Sequence, residues 1–234
     1  MIIASNFKTN HTRISTKEFL EKIPQTPLQI RIFPPFTTFD NYNLPKNTLL
    51  GAQNFYPVEN GAFTGEIGKE QLDEFGLSCV LIGHSERRNV LNEAESLIIE
   101  KFNFAKKCGW EIIYCVGEPI NIREEGETAV NEYLKKQLEK IDLNYEKLII
   151  AYEPVWAIGT GLSATLEQIK ATHSEIKKLS RAPLLYGGSV NVDTILNIVN
   201  LNECDGVLIG SASWKIEPFL KMIEIVNNNE KGVI

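Results

Sequence analysis

Two titratable side chains stand where strand-like runs end, and together they could move a proton. Glu153 follows the apolar run 148–152. A glutamate normally titrates near about 4.3, so it is ionised at neutral pH and can act as a base. His84 follows the run 79–83 and precedes Ser85-Glu86, which is typical of the first turn of a helix. A helix N-terminus disfavours a charged ring, so this pattern predicts a neutral imidazole that can donate to a carbonyl.

A lysine and three glycine-bearing turns also follow strand-like runs. Lys8 ends Asn6-Phe7-Lys8 and either neutralises a developing oxyanion or a phosphate, or is an ordinary surface lysine. Glycine allows the backbone to approach a ligand and to point N–H groups at it. The pattern therefore predicts a phosphate site, although three unrelated tight turns would look the same. The turns are Gly159-Thr160-Gly161, Gly187-Gly188-Ser189 and Gly210-Ser211.

The residues after Glu153 are typical of a lid. Val155–Ile158 is apolar and poorly suited to face solvent, whereas a lid needs an apolar underside that excludes water. Pro154 and the segment 159–161 would be its hinges. A carboxylate that takes a proton, under a loop that shuts water out, explains why the two stand together.

Two other motifs in the same places are weaker. Gly159-x-Gly161-x-x-Ala164 fits the dinucleotide fingerprint, but no acid follows about 20 residues later to bind a ribose. His84-Ser85-Glu86 fits the H-x-E of zinc deaminases, but no P-C-x-x-C follows it. We therefore expect no cofactor and no metal.

The alternation of short apolar runs with longer helix-period stretches predicts the scaffold. Continuous apolar runs are typical of parallel strands that are covered on both faces. Eight such units in 234 residues, with no Pro/Gly-rich linker, predict one domain over residues 1–234 with the closed (β/α)8 fold of a TIM barrel. An open doubly wound sheet is the alternative. The expected strands are 2–7, 28–34, 49–54, 79–83, 111–117, 148–152, 183–187 and 205–210, and the expected helices are 16–22, 69–75, 93–107, 129–141, 166–179, 192–199 and 218–227.

A barrel requires its chemistry to lie at the C-terminal ends of its strands. Polar, charged and glycine residues indeed follow most of the runs, whereas the opposite ends, such as Leu28, Trp110 and Pro183, carry no comparable set. The second crossover, around 37–42, is short. We interpret His11 and His173, the other two histidines, as solvated residues of a loop and a helix.

Composition excludes several classes of protein. A net charge of −6 argues against a nucleic-acid partner, and no apolar run approaches the ~20 residues of a membrane-spanning helix. The opening residues 1–4 are too short for the apolar part of a signal peptide. None of the four cysteines, Cys79, Cys108, Cys115 and Cys204, forms a C-x-x-C pair, so we expect buried free thiols and a cytoplasmic protein.

Taken in order, the motifs of the chain resemble the triosephosphate isomerase family from end to end. Each motif is weak alone, but the ordered set is specific. The motifs are Asn6-x-Lys8, Gly51-Ala52-Gln53-Asn54, Gly61–Glu66 as GAFTGE, Gly83–Arg88 as GHSERR, Cys115–Glu118 as CVGE, Tyr152–Gly161 as YEPVWAIGTG, and Tyr186–Val190 as YGGSV.

The resemblance implies a cofactor-free isomerase that interconverts dihydroxyacetone phosphate and glyceraldehyde 3-phosphate. By the same resemblance, Glu153 is the base, His84 polarises the carbonyl and Lys8 is the electrostatic anchor. It further implies that Asn6 supports Lys8 and that Glu86 is an acid next to the residues that contact the substrate. Tyr186 and Ser189 would hold the closed lid. The phosphate donors would be Gly159, Ser189, Gly210 and Ser211.

The segment 55–67 resembles a finger that inserts into a second subunit near Lys8, with Thr64 reaching the neighbouring site, so the resemblance implies a homodimer. Departures from the family pattern are Ser211 for a common second glycine, Leu162-Ser163 for Lys-Thr, and Phe7 for Trp. Another cofactor-free isomerase or lyase acting on a phosphorylated sugar, and a non-catalytic barrel, remain open alternatives.

Overall fold

The computed structural model describes residues 1–158 and 162–231, in which parallel strands alternate with helices. The strands are β1 Ile2–Asn6, β2 Gln29–Phe33, β3 Thr48–Leu50, β4 Cys79–Ile82, β5 Glu111–Val116, β6 Leu148–Tyr152, β7 Leu184–Tyr186 and β8 Gly206–Ile209. The helices are α1 Arg13–Leu20, α2 Lys69–Asp73, α3 Ser85–Asn89, α4 Glu95–Lys107, α5 Ile120–Glu124, α6 Glu127–Leu138, α7 Leu166–Leu179, α8 Ile195–Val199 and α9 Ile216–Lys231.

The strands close into a barrel. Their order is β3-β2-β1-β8-β7-β6-β5-β4, and every pair is parallel. The two outer strands of this order meet through a parallel bridge between Ala52 and Val80, so the sheet has no open edge at this point. The predicted (β/α)8 barrel is confirmed, and the open doubly wound sheet is wrong.

Alternation along each strand divides the core into two layers. Apolar residues of the strands fill the interior, among them Ala4, Phe33, Leu81, Ile113 and Ala151. The residues between them point outward and pack against the helices. Because both faces of each strand are buried, the strands are continuously apolar, which is why their positions could be predicted.

Helix α7 shows how the outer layer is built. Thr165 caps its first turn, since the side chain accepts from the backbone N–H of Gln168. Ile169, Thr172 and Ile176 are buried at helical spacing and form the stripe that covers the sheet.

Several predicted boundaries differ from the structure. The second crossover contains only the 3₁₀ turn Phe36–Thr38, so the expectation of a short connection is confirmed. Strand β3 ends at Leu50, four residues before the predicted end. A Cβ at Gly51 would lie 2.2 Å from the ring of Phe33, so only glycine fits at the position that follows the strand. The short helix α5 was not predicted, because it has no buried residue and therefore no apolar stripe.

The N-terminal end of the barrel contradicts the expectation that it carries no comparable polar set. Arg31 in β2 and Glu111 in β5 form a two-pronged ion pair there, with Nε–Oε1 at 2.5 Å and Nη2–Oε2 at 3.0 Å. Gln29 accepts a further hydrogen bond from Nη2 at 3.1 Å. The sequence analysis drew nothing from Arg31 and Glu111, which lie within the predicted strands 28–34 and 111–117, so the pair was missed.

All four cysteines are free, as expected, and Cys79, Cys115 and Cys204 are buried, whereas Cys108 is only partly buried. Within residues 1–158 and 162–231, no helix combines the length and apolar character that a membrane span requires.

Candidate active site

Glu153 follows β6 directly, and its carboxylate lies against the residues that follow β4. Oε2 accepts a hydrogen bond of 2.9 Å from the backbone N–H of Ser85, and Oε1 lies 3.2 Å from Nε2 of His84. Only 2% of Glu153 is exposed. A carboxylate this deeply buried has little water to stabilise its charge, so these two donors carry that task.

Two glycines, Gly117 and Gly187, leave the space that Glu153 occupies. A Cβ at Gly117 would lie 1.7 Å from the carbonyl oxygen of Glu153, and one at Gly187 would lie 2.9 Å from its Cγ. Each glycine follows a strand next to β6. The glycines on both sides therefore let this strand end approach its neighbours closely.

His84 is the N-cap of α3, as its position before Ser85-Glu86 predicted. Its Nδ1 accepts from the backbone N–H of Glu86 at 3.2 Å. In a neutral ring the proton then resides on Nε2, which faces Glu153 and the cavity. The helix terminus thus fixes both the tautomer and the direction in which the imidazole donates.

Lys8 lies immediately after β1 in a left-handed backbone conformation, with φ at 52°. Its N–H donates to Oδ1 of Asn6 at 2.9 Å, and its carbonyl accepts from Nε2 of Gln53 at 2.8 Å. The ammonium group pairs with Glu86 at 2.7 Å. The unfavourable backbone conformation of Lys8 is therefore held by Asn6 and Gln53, and its ammonium group is held by Glu86.

A cavity of about 400 Å³ lies at this end of the barrel. Gly210 directly follows β8, and the 3₁₀ turn Ser211–Ser213 comes next. Backbone N–H groups at such a turn suit an anion. The predicted site residues that line the cavity are Asn6, Lys8, His84, Glu153, Ser189, Gly210 and Ser211.

The described part of the predicted lid is tied to the barrel on both sides. The indole N–H of Trp156 donates to Glu118 at 2.8 Å, and Arg123 also pairs with this buried carboxylate at 2.7 Å. Across the lid, the hydroxyl of Ser189 lies 2.8 Å from the carbonyl of Ala157 and 3.1 Å from that of Leu162. Both ends of the lid therefore have polar anchors.

Tyr186 ends β7 beside the lid. Its hydroxyl is buried and has no hydrogen-bond partner among the residues described. Burial raises the pKa of this phenol to about 12, an effect that the backbone of Ala164 partly offsets. The hydroxyl therefore stays protonated at neutral pH and is available as a donor.

The remaining predicted site residues lie away from the main cavity. Glu86 borders an adjoining cavity of about 540 Å³, together with Asn6, Lys8 and His84. Thr64 is exposed on the segment 55–67. Gly159, with the rest of 159–161, lies outside the described residues.

Sequence reasoning missed residues that act through the backbone or through the loop after β8. Ser85 contributes an N–H, which has no side-chain signature, although the helix start at His84 pointed to it. Trp214 lines the cavity and donates from its indole to the carbonyl of Asn6 at 3.1 Å. An aromatic residue four positions after Gly210 was the only available signal for Trp214.

The interpretation of the other two histidines was wrong. His173 is a fully buried residue of α7, and its ring contacts the rings of Tyr152 and Tyr186, with centroids 5.8 and 6.3 Å away. His11 is partly buried, and its ring stacks on Phe7 with the centroids 4.3 Å apart. Histidine is polar enough to be taken for a surface residue, but a neutral ring packs as an aromatic one.

Comparison with known proteins gives a consistent result. The family model described as triosephosphate isomerase matches residues 1–226. The chain is 50% identical to the triosephosphate isomerase of a Nitratiruptor species, over 96% of this chain and 98% of that protein. It is 54% identical to the one from Campylobacter jejuni subsp. doylei, over 96% and 100%. It is 52% identical to the one from a Sulfurovum species, over 95% and 99%.

Proposed function

Because the chain belongs to the triosephosphate isomerase family, we propose that it interconverts dihydroxyacetone phosphate and D-glyceraldehyde 3-phosphate, a step of glycolysis and gluconeogenesis. The observation that carries the proposal is that three predicted catalytic side chains meet at one cavity. Glu153, His84 and Lys8 come from three different strand ends and line one cavity that a three-carbon phosphate can fill. No cofactor is required, since the carbonyl of the substrate itself holds the electrons of the intermediate.

The reaction begins when Glu153 removes a proton from the carbon next to the carbonyl. The electron pair of the broken C–H bond forms an enediolate, whose oxygens carry the developing negative charge. His84 gives its Nε2 proton to the former carbonyl oxygen and takes one from the neighbouring hydroxyl oxygen, so that a proton passes between the two oxygens, and the charge of Lys8 stabilises them while they are negative. Glu153 then returns the proton to the neighbouring carbon. Substrate must displace the carboxylate from its contacts with Ser85 and His84, because the base is otherwise occupied by them.

Asn6 and Glu86 act in this scheme by holding Lys8. Asn6 accepts from the backbone of Lys8, and Glu86 pairs with its ammonium group. The ion pair is partly exposed, since 43% of the Glu86 side chain is accessible. Glu86 therefore fixes the direction of Lys8 without neutralising the field in the cavity completely.

The phosphate of the substrate is assigned to the glycine-bearing side of the cavity. Gly210, Ser211 and Ser189 lie there, and Gly159 belongs to the same set by its place in the motif. The hydroxyl of Tyr186 and that of Ser189 hold the lid when it closes on the phosphate. Closure excludes water, which protects the enediolate from losing its phosphate by elimination.

A coupled assay of the purified protein with glyceraldehyde 3-phosphate tests the activity. In the variant Glu153→Asp the carboxylate is withdrawn by one methylene, so kcat should fall far more than KM rises. An unchanged kcat would remove Glu153 from the chemistry. Deuterium wash-in from heavy water during turnover separates catalysis from mere binding, since a non-catalytic barrel would bind phosphate without exchanging a substrate proton.

The adjoining cavity supports a homodimer through residues 55–67. Val90 and Leu91 at its edge are 70% and 62% exposed, and Phe63 near the tip of the segment is 41% exposed. An apolar tip and an apolar-edged cavity beside Lys8 are complementary, with Thr64 reaching the neighbouring site. Sedimentation of Phe63→Asp against the wild-type chain tests this arrangement, because a buried aspartate would favour the monomer.

The remaining features of the proposal concern the chain as a whole. We assign residues 1–234 to a single domain that works in the cytoplasm, and the acidic net charge of −6 gives no basis for a nucleic-acid partner. Limited proteolysis followed by mass spectrometry tests the domain assignment, since a single domain yields no stable fragment of intermediate size.

A further inference from the structure

A buried pair of serines, Ser5 and Ser213, joins β1 to the turn that follows β8. Ser5 lies in β1, Ser213 is the last residue of the 3₁₀ turn Ser211–Ser213, and neither residue is exposed to solvent. Their hydroxyl oxygens are 2.6 Å apart, although the two residues are 208 positions apart in the chain. Because a buried hydroxyl is costly unless it is hydrogen-bonded, this serine pair is a specific contact between the two segments.

The neighbouring oxygens determine the direction in which each hydroxyl donates. Besides Ser5, the hydroxyl oxygen of Ser213 lies 2.8 Å from the carbonyl of Gly210 and 3.2 Å from that of Ile209. A carbonyl can only accept, so Ser213 donates to a carbonyl, and the hydroxyl of Ser5 donates to Ser213. The closer carbonyl, that of Gly210, also accepts from the backbone N–H of Ser213 at 2.9 Å. Two donors of one residue therefore hold this carbonyl.

The carbonyl of Gly210 sets the orientation of an N–H group at the main cavity. A peptide unit is planar and trans, so the carbonyl of Gly210 and the N–H of Ser211 point in opposite directions. Ser213 is buried behind the turn, whereas Gly210 and Ser211 line the cavity. With the carbonyl directed at Ser213, the N–H of Ser211 is directed toward the cavity, where it suits an anion.

The same turn is held against the end of β1 that carries the cation of the site. The serine pair connects the two segments on the buried side, and the indole of Trp214 donates to the carbonyl of Asn6 at 3.1 Å. A Cβ at Gly210 would lie 3.4 Å from Cε of Lys8, so the turn and the lysine side chain are neighbours. The N–H group and the ammonium group are therefore positioned on one strand end.

Another 3₁₀ turn of the chain contains the same bond but lies away from the main cavity. In the turn Phe36–Thr38, which follows β2, the hydroxyl and the backbone N–H of Thr38 both donate to the carbonyl of Pro35, at 2.8 and 3.0 Å. Thr38 is buried, and its turn does not line the main cavity. The two turns are closed in the same way, but the turn at Ser213 faces the cavity and the turn at Thr38 does not.

We infer that Ser213 is a positioning residue, which holds the Gly210–Ser211 peptide so that the N–H of Ser211 faces the phosphate of the substrate. Ser5 supports it by donating to its hydroxyl oxygen. The inference rests on the proposed function for the identity of the substrate. Inorganic phosphate bound in the same place would depend on the same orientation of the peptide.

Three variants separate positioning from stability. Ser213→Ala removes one donor to Gly210 and leaves the buried hydroxyl of Ser5 without the acceptor that it has in this structure. The double variant Ser5→Ala with Ser213→Ala removes both hydroxyls, which can be nearly neutral for stability, yet the carbonyl of Gly210 still lacks its second donor. The matched control is Thr38→Val, which removes the equivalent hydroxyl from the turn that lies away from the main cavity.

The measurements are KM and kcat with glyceraldehyde 3-phosphate, the inhibition constant of inorganic phosphate, and Tm. In Ser213→Ala and in the double variant we expect KM and the inhibition constant to rise together by about 3–10-fold, the equivalent of one lost hydrogen bond, with kcat within about threefold of wild type. Tm should fall by about 3–6 °C in Ser213→Ala and by less in the double variant. Thr38→Val should lower Tm by about 2–4 °C and leave KM unchanged.

Wild-type KM and phosphate inhibition in Ser213→Ala would overturn the inference, whatever the change in Tm. A return to wild-type values in the double variant would also overturn it, because the hydroxyl would then act through stability alone. If Ser213→Ala does not fold, the double variant decides by the same criterion, and failure of both to fold would contradict the inference.

A separate measurement distinguishes failure of the inference from failure of the proposed function. If the wild-type chain turned over no triose phosphate, the proposed function would fail. Calorimetric binding of inorganic phosphate to the wild-type and double-variant proteins would then decide the role of Ser213. Weaker binding by the variant would support it, whereas equal affinities, or no binding by the wild-type chain, would contradict it.

Discussion

The two ends of this barrel each place a cation against a carboxylate, but the ion pairs are built differently. At the N-terminal end, Arg31 and Glu111 meet through two parallel contacts, and only 7% of the Arg31 side chain is exposed. At the C-terminal end, Lys8 meets Glu86 through one oxygen, and 43% of Glu86 is exposed. The Arg31–Glu111 pair therefore has two contacts and little access to water, whereas the Lys8–Glu86 pair has one contact and is partly exposed to water.

The two ends also differ in how completely their other charged groups are paired. At the N-terminal end the fork of Arg31 also reaches Gln29 and backbone carbonyls, so its donors are used within the fold. At the C-terminal end Glu153 is 2% exposed and has a neutral imidazole and one N–H as partners. A charge that the fold leaves incompletely paired is available for a substrate, and this difference agrees with the proposal that the C-terminal end is the reactive one.

The largest expected effect is at Glu153, whose carboxylate has no cationic partner of its own among the contacts described. Glu153→Gln keeps the shape and the hydrogen bond from Ser85 but cannot accept a proton, so kcat should fall by roughly 10²–10⁴-fold. Stability should not fall, since a buried charge is removed. Steady-state kinetics and urea unfolding measure the two quantities; a variant that kept its turnover would place the base elsewhere.

The cation of the reactive end comes next. Lys8→Met removes the charge that faces the cavity, and we expect kcat/KM to fall by about 10²–10³-fold. Because the Lys8–Glu86 pair is partly exposed, its loss should change the free energy of unfolding by less than about 1 kcal/mol. If the free energy of unfolding fell by as much as the free energy equivalent of the lost kcat/KM, the two ends of the barrel would not differ in the way described.

Acid tests a third buried group, His173 of α7, which is neutral at pH 7 because burial disfavours its charged form. Burial lowers the pKa of His173 to about 4, below its ordinary value of 6.5. The unfolded chain therefore binds a proton first as pH falls below about 6.5, and the free energy of unfolding declines until about pH 4. The full decline from this residue is roughly 3 kcal/mol.

The control for this prediction is His173→Phe, which keeps a ring against Tyr152 and Tyr186 but does not titrate. Urea unfolding of both proteins from pH 7 to pH 4 should show a smaller decline in the variant. Parallel curves would assign the acid sensitivity to other groups.

The smallest expected effect is at the structural end. Arg31→Met leaves Glu111 without its partner, and the free energy of unfolding should fall by about 2–3 kcal/mol. This is less than for a fully buried pair, because 21% of the Glu111 side chain is exposed. Chemical denaturation measures the fall, and kcat should stay within about twofold of wild type.

The double variant Arg31→Met with Glu111→Met sharpens the test. It should recover most of the lost stability, since no uncompensated charge remains. A large loss of kcat in either variant would show that the N-terminal end of the barrel also serves the reaction.

Much of the fold and the site could be predicted because the relevant residues carry local signals. The strands are continuously apolar, and Glu153, His84 and Lys8 interrupt that pattern at strand ends. The contacts that complete the site carry no such signal. The N–H of Ser85 belongs to every residue type, and the tie from Trp214 to Asn6 joins positions that lie 208 residues apart.

Errors arose where one residue type has two physical roles. His173 and His11 were assigned to solvent, yet each packs as an aromatic ring in its neutral form. Arg31 and Glu111 lie in strands whose neighbours are apolar, and neither alone indicates that it points into the barrel at a partner. Their pairing depends on register between strands, which no local window contains.

The order of apolar runs and of the residues that end them determined a parallel sheet of eight units with polar residues at one end, because period and burial are local properties of the chain. Tertiary structure alone decided which charges are neutralised and which are left for a ligand. That outcome depends on distances between strand ends far apart in the chain, and an electrostatic interaction changes steeply with distance and with access of water.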